Sequence, residues 1–282
     1  MKDGTIPTVR LPNGISVPAL GQGTWNMGER PGARAEELAA LQLGLDLGLT
    51  LIDTAEMYGE GAAEELVGEA LAGRRDQAFV VSKVYPHNAS RKGTAAACER
   101  SLKRLRTDRI DLYLLHWRGD VPLAETMQAL QALQQAGKIV HCGVSNLDLA
   151  DMRALWTIEA GRGVAANQLL YNLTRRGIEW DLLPWMREHR LPLMAYSPIE
   201  QARLLDHPGL VRFARGCGIT PAQAALAWLL DNKDVIAIPK TGQRGRVREN
   251  HGALAVKLGA EQRAELDKLF QPPRGPRALE ML

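Results

Sequence analysis

Asp53, Lys83 and His116 each follow a short apolar run, and Tyr58 stands five residues beyond Asp53. A carboxylate, an ammonium, an imidazole and a phenol suit one kind of chemistry well. Hydride reaches a carbonyl carbon, negative charge develops on the oxygen, and a donor must protonate or stabilise that oxygen. A free phenol, with a pKa near ~10, is a sluggish acid at neutral pH. An ammonium hydrogen-bonded to it favours the phenolate. At ~4 Å and an effective dielectric of ~20 the attraction is about 4 kcal/mol, whereas two pKa units need only ~2.7 kcal/mol. The expectation is a phenol made more acidic by Lys83. Asp53 would hold Lys83 charged and in place, and His116 would donate to the substrate oxygen or assist a proton relay.

Taken singly, each residue has a plain structural reading. An Asp after a strand caps or turns the chain, a Lys is solvated, and a His in an apolar run is a satisfied core residue. Their placement at the ends of three successive apolar runs is what favours a shared site.

Those runs alternate with amphipathic segments along the whole chain. Val9 to Val17 reads as a hairpin around Pro12-Asn13-Gly14, with Asn-Gly supplying positive φ. A first strand near Leu20 is followed by helix 33–48, strand 50–53, helix 61–72, strand 79–83, helix 92–105 and strand 112–116. Helix 122–136 stops at Gly137, a C′ glycine, before strand 139–145. Helix 148–160, strand 165–168, helix 177–189 and strand 193–196 come next. Thr220-Pro221 with Gln223 opens a capped helix that leads to strand 235–238. Helix 206–216 reads as an insertion, and residues 260–282 as one more helix and a Pro-rich tail. Eight strand-then-helix units with continuous apolar strands predict an α/β fold, a (β/α)8 TIM barrel with an N-terminal β-hairpin and extra helices near the C-terminus. An open doubly wound sheet is the alternative. Residues 1–282 read as a single domain, since no linker or repeat divides them.

In such a barrel the site lies at the C-terminal ends of the strands. Ser145, Asn146, Gln168 and Tyr196 end strands too and join the first four residues as candidates.

Composition excludes other classes. With 35 basic and 32 acidic residues, net charge is +3, too balanced to indicate nucleic acid or membrane as a partner. Cys98, Cys142 and Cys217 are few and far apart, so neither a disulfide framework nor a metal site is expected. The start, Met1 to Pro7, lacks an apolar run, and no 18-residue apolar stretch follows; a cytoplasmic protein is expected.

Residues 48–59, Gly-Leu-Thr-Leu-Ile-Asp-Thr-Ala-Glu-Met-Tyr-Gly, closely resemble the aldo-keto reductase signature around a catalytic Asp and Tyr. Asp-Leu-Tyr-Leu-Leu-His-Trp at 111–117, Val-Ser-Lys at 81–83, Gly-Lys-Ile with Gly-Val-Ser-Asn in 137–146 and Ile-Pro-Lys-Thr at 238–241 resemble further family motifs in the same order. The resemblance spans residues 9 to 270 and is greatest to the bacterial branch with methylglyoxal-reductase activity. It implies a tetrad of Asp53, Tyr58, Lys83 and His116, with Tyr58 the general acid in reduction. It also implies that Ser145, Asn146 and Gln168 hydrogen-bond a nicotinamide carboxamide, and that Tyr196 stacks on the ring.

Gly21-Gln22-Gly23 is not a dinucleotide fingerprint, because the next glycine is Gly28 and no helix follows at once. A tight turn is the structural reading of the pair. The resemblance brings Gly23, Thr24 and Trp25 to the cofactor, with Trp25 at the substrate too. The basic run Lys240 to Asn250 follows strand eight and enters a helix, where barrels often bind phosphate. A solvated basic face is the plain alternative. The resemblance assigns Lys240, Thr241 and Arg246 to an adenosine 2′-phosphate, Glu249 and Asn250 to the adenine, and Ser197, Ile199 and Gln201 to the pyrophosphate stretch. Ile238 borders the same cofactor, which is therefore expected to be NADPH. Glu200 is out of place in a loop facing phosphates; it must point away or pair with a base such as Arg203.

Trp25, Tyr85 and Trp117 are expected to wall the substrate site beside Tyr58 and His116, whereas Trp185 is expected to pack between helices. A short tail after Phe270 suggests an open site that takes small 2-oxoaldehydes or varied aldehydes and ketones. A monomer is expected. Two other readings stand beside this one: an NADPH-binding sensor or regulatory subunit on the same barrel, and a Schiff-base aldolase using Lys83.

Overall fold

The computed structural model describes residues 6–282. Residues 1–5, which belong to the start read above for an apolar run, lie outside the described residues. Strands β1 (Thr8–Arg10) and β2 (Ser16–Pro18) form the antiparallel hairpin. At its turn only Gly14 has positive φ, 92°; Asn13 instead accepts the Ile15 N–H through its side chain.

Eight parallel strands follow: β3 (Gln22–Gly23), β4 (Leu51–Asp53), β5 (Phe79–Val84), β6 (Ile110–Leu115), β7 (Ile139–Ser145), β8 (Asn167–Leu170), β9 (Leu193–Tyr196) and β10 (Val235–Ala237). Each pairs with the next in chain order. Between β3 and β10 the ring closes through the bridges Leu20↔Ala237 and Gly23↔Lys240. Gly21 N–H donates to Ala237 O at 2.9 Å and Gly23 N–H to Pro239 O at 3.0 Å. The sheet is therefore a barrel, as the alternation of elements predicts, and not an open doubly wound sheet.

This seam explains Gly21 and Gly23, and corrects their reading as a turn. Neither has positive φ. A Cβ on Gly21 would lie 2.8 Å from Leu51 O, and one on Gly23 would lie 2.9 Å from Ile238 O. The glycines let neighbouring strands come together.

Helices α1 (Arg34–Asp46), α2 (Ala62–Ala70), α3 (Arg91–Leu105), α4 (Leu123–Gln135), α5 (Leu149–Trp156) and α6 (Leu182–Glu188) cover the outside. They are joined by α7 (Pro208–Gly216), α8 (Pro221–Leu230), α9 (Arg244–Gly252) and α10 (Ala260–Leu269). Helix α7 is the expected insertion, and Thr220 with Gln223 forms the expected capping box on α8. Helices α5 and α6 are shorter than their periodicity suggests, because 3₁₀ turns at Glu159–Gly163 and Gly177–Glu179 take up part of each segment.

Alternation along each strand divides the side chains into two cores. Ile52, Val80, Tyr113, Val144, Leu169 and Leu193 pack outward under the helices. Leu51, Val81, Leu112, Leu114, Ala166, Met194 and Ile236 fill the barrel interior, which Val9, Leu11, Val17 and Ala19 of the hairpin segment plug from below. One step of two residues further along these inward rows stand Asp53, Lys83, His116, Gln168 and Tyr196. The barrel thus replaces apolar side chains by polar ones only in its topmost layer.

Candidate active site

Lys83 is fully buried. Its Nζ donates to Asp53 Oδ2 at 2.9 Å, to Thr54 O at 2.8 Å and to the Tyr58 hydroxyl at 3.2 Å. Three N–H donors meet three acceptors, so the ammonium is satisfied without water. Asp53 Oδ1 accepts a further bond from Gln168 Nε2 at 2.7 Å. Because an ammonium can only donate, the Tyr58 oxygen accepts, and its own proton remains available; among the described residues no side chain takes it.

Tyr58 begins a sharp turn in which Gly59, Glu60 and Gly61 all have positive φ. Left-handed backbone at the non-glycine Glu60 costs energy that the surroundings must offset. Glu56, two residues earlier, supplies one anchor: its carboxylate accepts from the Tyr85 N–H at 2.9 Å, from Asn88 at 3.0 Å and from Arg100 at 3.3 Å. The loop carrying Tyr58 is thereby tied to the end of β5, which carries Lys83.

The acidity of the phenol differs from expectation. Burial raises the Tyr58 pKa more than the Lys83 ammonium lowers it, and Asp53 adds to the rise, so the phenol lies above its ordinary value. Burial works against the Lys83 charge, but Asp53 and Tyr58 outweigh it and hold the ammonium above its usual pKa. At neutral pH the pair is a protonated phenol beside a charged lysine. A Schiff-base role needs a neutral, accessible amine, which this buried ammonium is not.

A cavity of about 960 Å³ opens above the quartet. Trp25, Tyr58, His116 and Trp117 line it, as do the strand-end residues Ser145, Asn146, Gln168 and Tyr196. Ser197, Ile199 and Gln201 from the loop after β9, and Ile238, Lys240, Thr241, Arg246, Glu249 and Asn250 from after β10, line it too. Gly23 and Thr24 line the cavity as well, with the Thr24 hydroxyl held by Asp53 O at 2.9 Å. Burial lowers the Lys240 pKa, Glu37 and Glu29 oppose this, and Arg30 and Arg246 lower it further. Three crowded cations are relieved by an anion placed among them.

The strand-end polar groups are partly occupied by their own bonds. Asn146 Nδ2 donates to His116 O and Ser145 Oγ at 3.1 and 3.2 Å, and its Oδ1 accepts from Tyr196 at 3.0 Å. The Ser145 hydroxyl donates to Gln168 O at 2.9 Å.

A model of the aldo/keto reductase family matches residues 19–271. The chain is 48% identical to methylglyoxal reductase YeaE of Escherichia coli, over 97% of this chain and 98% of that protein. It is 32% identical to glyoxal reductase of Bacillus subtilis, over 98% and 97% of the two chains. A crystal structure of an aldo-keto reductase from Klebsiella pneumoniae in complex with NADPH superposes with a TM-score of 0.96 at 50% identity, covering 99% of this chain and 100% of that one. The chain belongs to the aldo/keto reductase family.

Within this aldo/keto reductase, two sequence expectations about the walls need correction. Tyr85 does not line the cavity. It stacks on His87 at 4.6 Å and meets Trp117 edge-on at 6.0 Å, so it supports a wall without being one. Nor is the site left open by a short tail: Met281 and Leu282 line the cavity, and the Leu282 backbone reaches the Tyr196 hydroxyl. Trp185 packs against Trp156 and His189, as expected of a helix-packing residue. Glu200 both turns away from the cavity contacts and pairs. It accepts from Arg203 at 3.0 Å, but also from Arg175 at 2.8 Å and Asn172 at 2.8 Å. Arg30 and Glu37 line the cavity without any strand-end or motif signal to mark them, and Met57, inside the 48–59 motif, lines it too.

His116 is neutral in this reductase. Burial, with a smaller contribution from Lys83, lowers its pKa from 6.5 to about 2, and its Nδ1 is buried without a partner. An imidazolium relay at neutral pH is thereby removed from the two roles expected of it. A folded-state pKa below the unfolded value means that the unfolded chain binds more protons as pH falls. The stability is present above pH 6.5 and is lost below it. From about pH 7 to about pH 5 the loss from this one group is about 2 kcal/mol. Urea unfolding at both pH values should show that His116→Gln shrinks the acid-induced loss by this amount; equal losses in the two proteins would refute it. Among the described residues no helix is long and apolar enough to cross a membrane.

Proposed function

We propose that this aldo/keto reductase uses NADPH to reduce small aldehydes and ketones, 2-oxoaldehydes such as methylglyoxal among them. The observation that carries the reading is the Tyr58–Lys83–Asp53 chain of contacts beside a cavity that Arg30, Lys240 and Arg246 also line. The cavity is at the upper end of small-molecule sites, which run to ~1,000 Å³, and exceeds what a three-carbon carbonyl needs. Lys240, Thr241, Arg246 and the neighbouring Arg30 suit a 2′-phosphate, Glu249 and Asn250 suit an adenine, and Ser197, Ile199 and Gln201 border the stretch between. Gln168 and Ser145 offer polar groups for a carboxamide beside the Tyr196 ring. Bound there, NADPH supplies the hydride.

The residues of this chain do the rest. Tyr58 offers its free proton to the carbonyl oxygen as negative charge builds there. Lys83 stabilises the resulting phenolate across 3.2 Å, and Asp53 keeps that ammonium oriented. Neutral His116 acts as a hydrogen-bond donor to the same oxygen, which positions it without transferring charge. Trp25, Trp117 and Met281 narrow the substrate end and exclude water.

NADPH consumption against a panel of methylglyoxal, simple aldehydes, ketones and sugars tests the reading. Turnover of the small aldehydes is expected. Tight NADPH binding with no oxidation across the panel would favour a sensor on the same barrel, and a strong preference for bulky steroids would overturn the substrate class. Arg246→Ala should weaken NADPH far more than NADH in equilibrium titrations; equal effects on both would remove Arg246 from the 2′-phosphate.

A further inference from the structure

Two consecutive arginines after β8 hold opposite ends of the segment that follows α10. Arg176 donates to Phe270 O and to Asp267, both at 2.6 Å. Arg175 Nη1 pairs with Glu280, while its Nε and Nη2 both bond Glu200 Oε1, at 3.0 and 2.8 Å. Between these anchors the segment lies close over the loop after β8, where a Cβ on Gly177 would be 3.1 Å from Arg277 Cβ.

Glu200 is only 5% exposed and sits in the loop that borders the cavity. Asn172 Nδ2 donates both to Glu200 and to Ser197 O, each at 2.8 Å. Glu200, Gln201 and Ala202 all have positive φ, so the loop depends on these side-chain contacts to keep a strained path. Met281 and Leu282 are more than half exposed, yet they line the same cavity beyond Glu280. That pair, the Leu282 backbone contact with the Tyr196 hydroxyl and the packing of Leu279 against the core fix where they lie.

We propose that Arg175 is a positioning residue that couples the loop 197–203 to the segment 277–282, so that ordering one wall of the cavity orders the other. One planar guanidinium addresses both carboxylates, and its fork geometry fits them together better than either alone. On the reading that NADPH lies along loop 197–203, on which this consequence rests, cofactor binding sharpens the substrate wall. By linkage, substrate binding must alter cofactor affinity by the same factor as cofactor binding alters substrate affinity.

Amide hydrogen exchange on the ligand-free protein tests the coupling without any cofactor. Glu280→Gln, which leaves the Arg175–Glu200 contact in place, should speed exchange in residues 197–203. In the NADPH-saturated enzyme the same variant should raise KM for methylglyoxal about fivefold with kcat unchanged, and weaken NADPH about fivefold, the low end of ordinary coupling. In an Arg175→Ala background, Glu280→Gln should have no further effect. Exchange in 197–203 that ignores Glu280→Gln, or an effect of equal size in the Arg175→Ala background, overturns the proposal. A coupled change in exchange with no NADPH consumption would leave the coupling standing and overturn the functional reading instead.

Discussion

Replacing Tyr58 by Phe lowers the turnover of carbonyl reduction by roughly 10²–10⁴-fold, the range for a lost general acid, while NADPH affinity stays nearly unchanged. The phenol oxygen is held by Lys83 at 3.2 Å, and the substitution removes the phenol proton, which no side chain among the described residues accepts. The Phe ring fills the same half-buried place, so the fold and the cofactor end of the cavity are untouched. Steady-state kinetics with a fluorescence titration of NADPH separates the two quantities. An unimpaired variant would take the proton-donor role from Tyr58.

Lys83→Met should have a comparable effect on turnover and a much larger effect on stability. The methionine matches the stem of the lysine but leaves the Asp53 carboxylate, which is 2% exposed, without its counter-charge. Breaking a buried pair on one side typically costs ~3–5 kcal/mol, and the Gln168 amide alone cannot compensate a full charge. Urea unfolding of Lys83→Met and of the double variant Lys83→Met with Asp53→Leu distinguishes the causes. The double variant should recover much of the lost stability, and none of the lost activity. A single variant as stable as the parent would mean that Asp53 finds other compensation.

The framework was legible in the sequence because its signal is periodic. Eight apolar runs, separated by amphipathic segments, specify a covered parallel sheet, and counting two residues along each run identifies which polar side chain comes last. Asp53, Lys83, His116, Gln168 and Tyr196 are found in this way without knowing any contact. Arg30, Glu37 and Met281 are not, because they reach the cavity from loops or helix ends whose path depends on tertiary contacts. The tail was misjudged for the same reason: its length suggested an open site, but Arg175 and Arg176 draw it back across the barrel mouth. Tyr85 was misplaced by direction, since it follows Lys83 in an extended segment and turns behind Trp117.

The acidity of Tyr58 was beyond a pairwise estimate. An attraction of about 4 kcal/mol between phenolate and ammonium ignores the cost of removing the phenolate from water, and burial reverses the sign. The outcome suits reduction better than the expectation did. A phenol that keeps its proton through neutral pH is fully available as an acid, and Lys83 contributes where the negative charge appears, after the proton has left.

The pH profile of a single turnover with NADPH saturating and methylglyoxal as substrate tests this most directly. The rate constant should be level from about pH 6 to about pH 9 and fall only as the phenol ionises above its ordinary ~10, and Tyr58→Phe should abolish the fast phase. A rate that declines through the ordinary imidazole range near ~6.5 and persists in Tyr58→Phe would place the transferred proton on His116 and contradict the assignment.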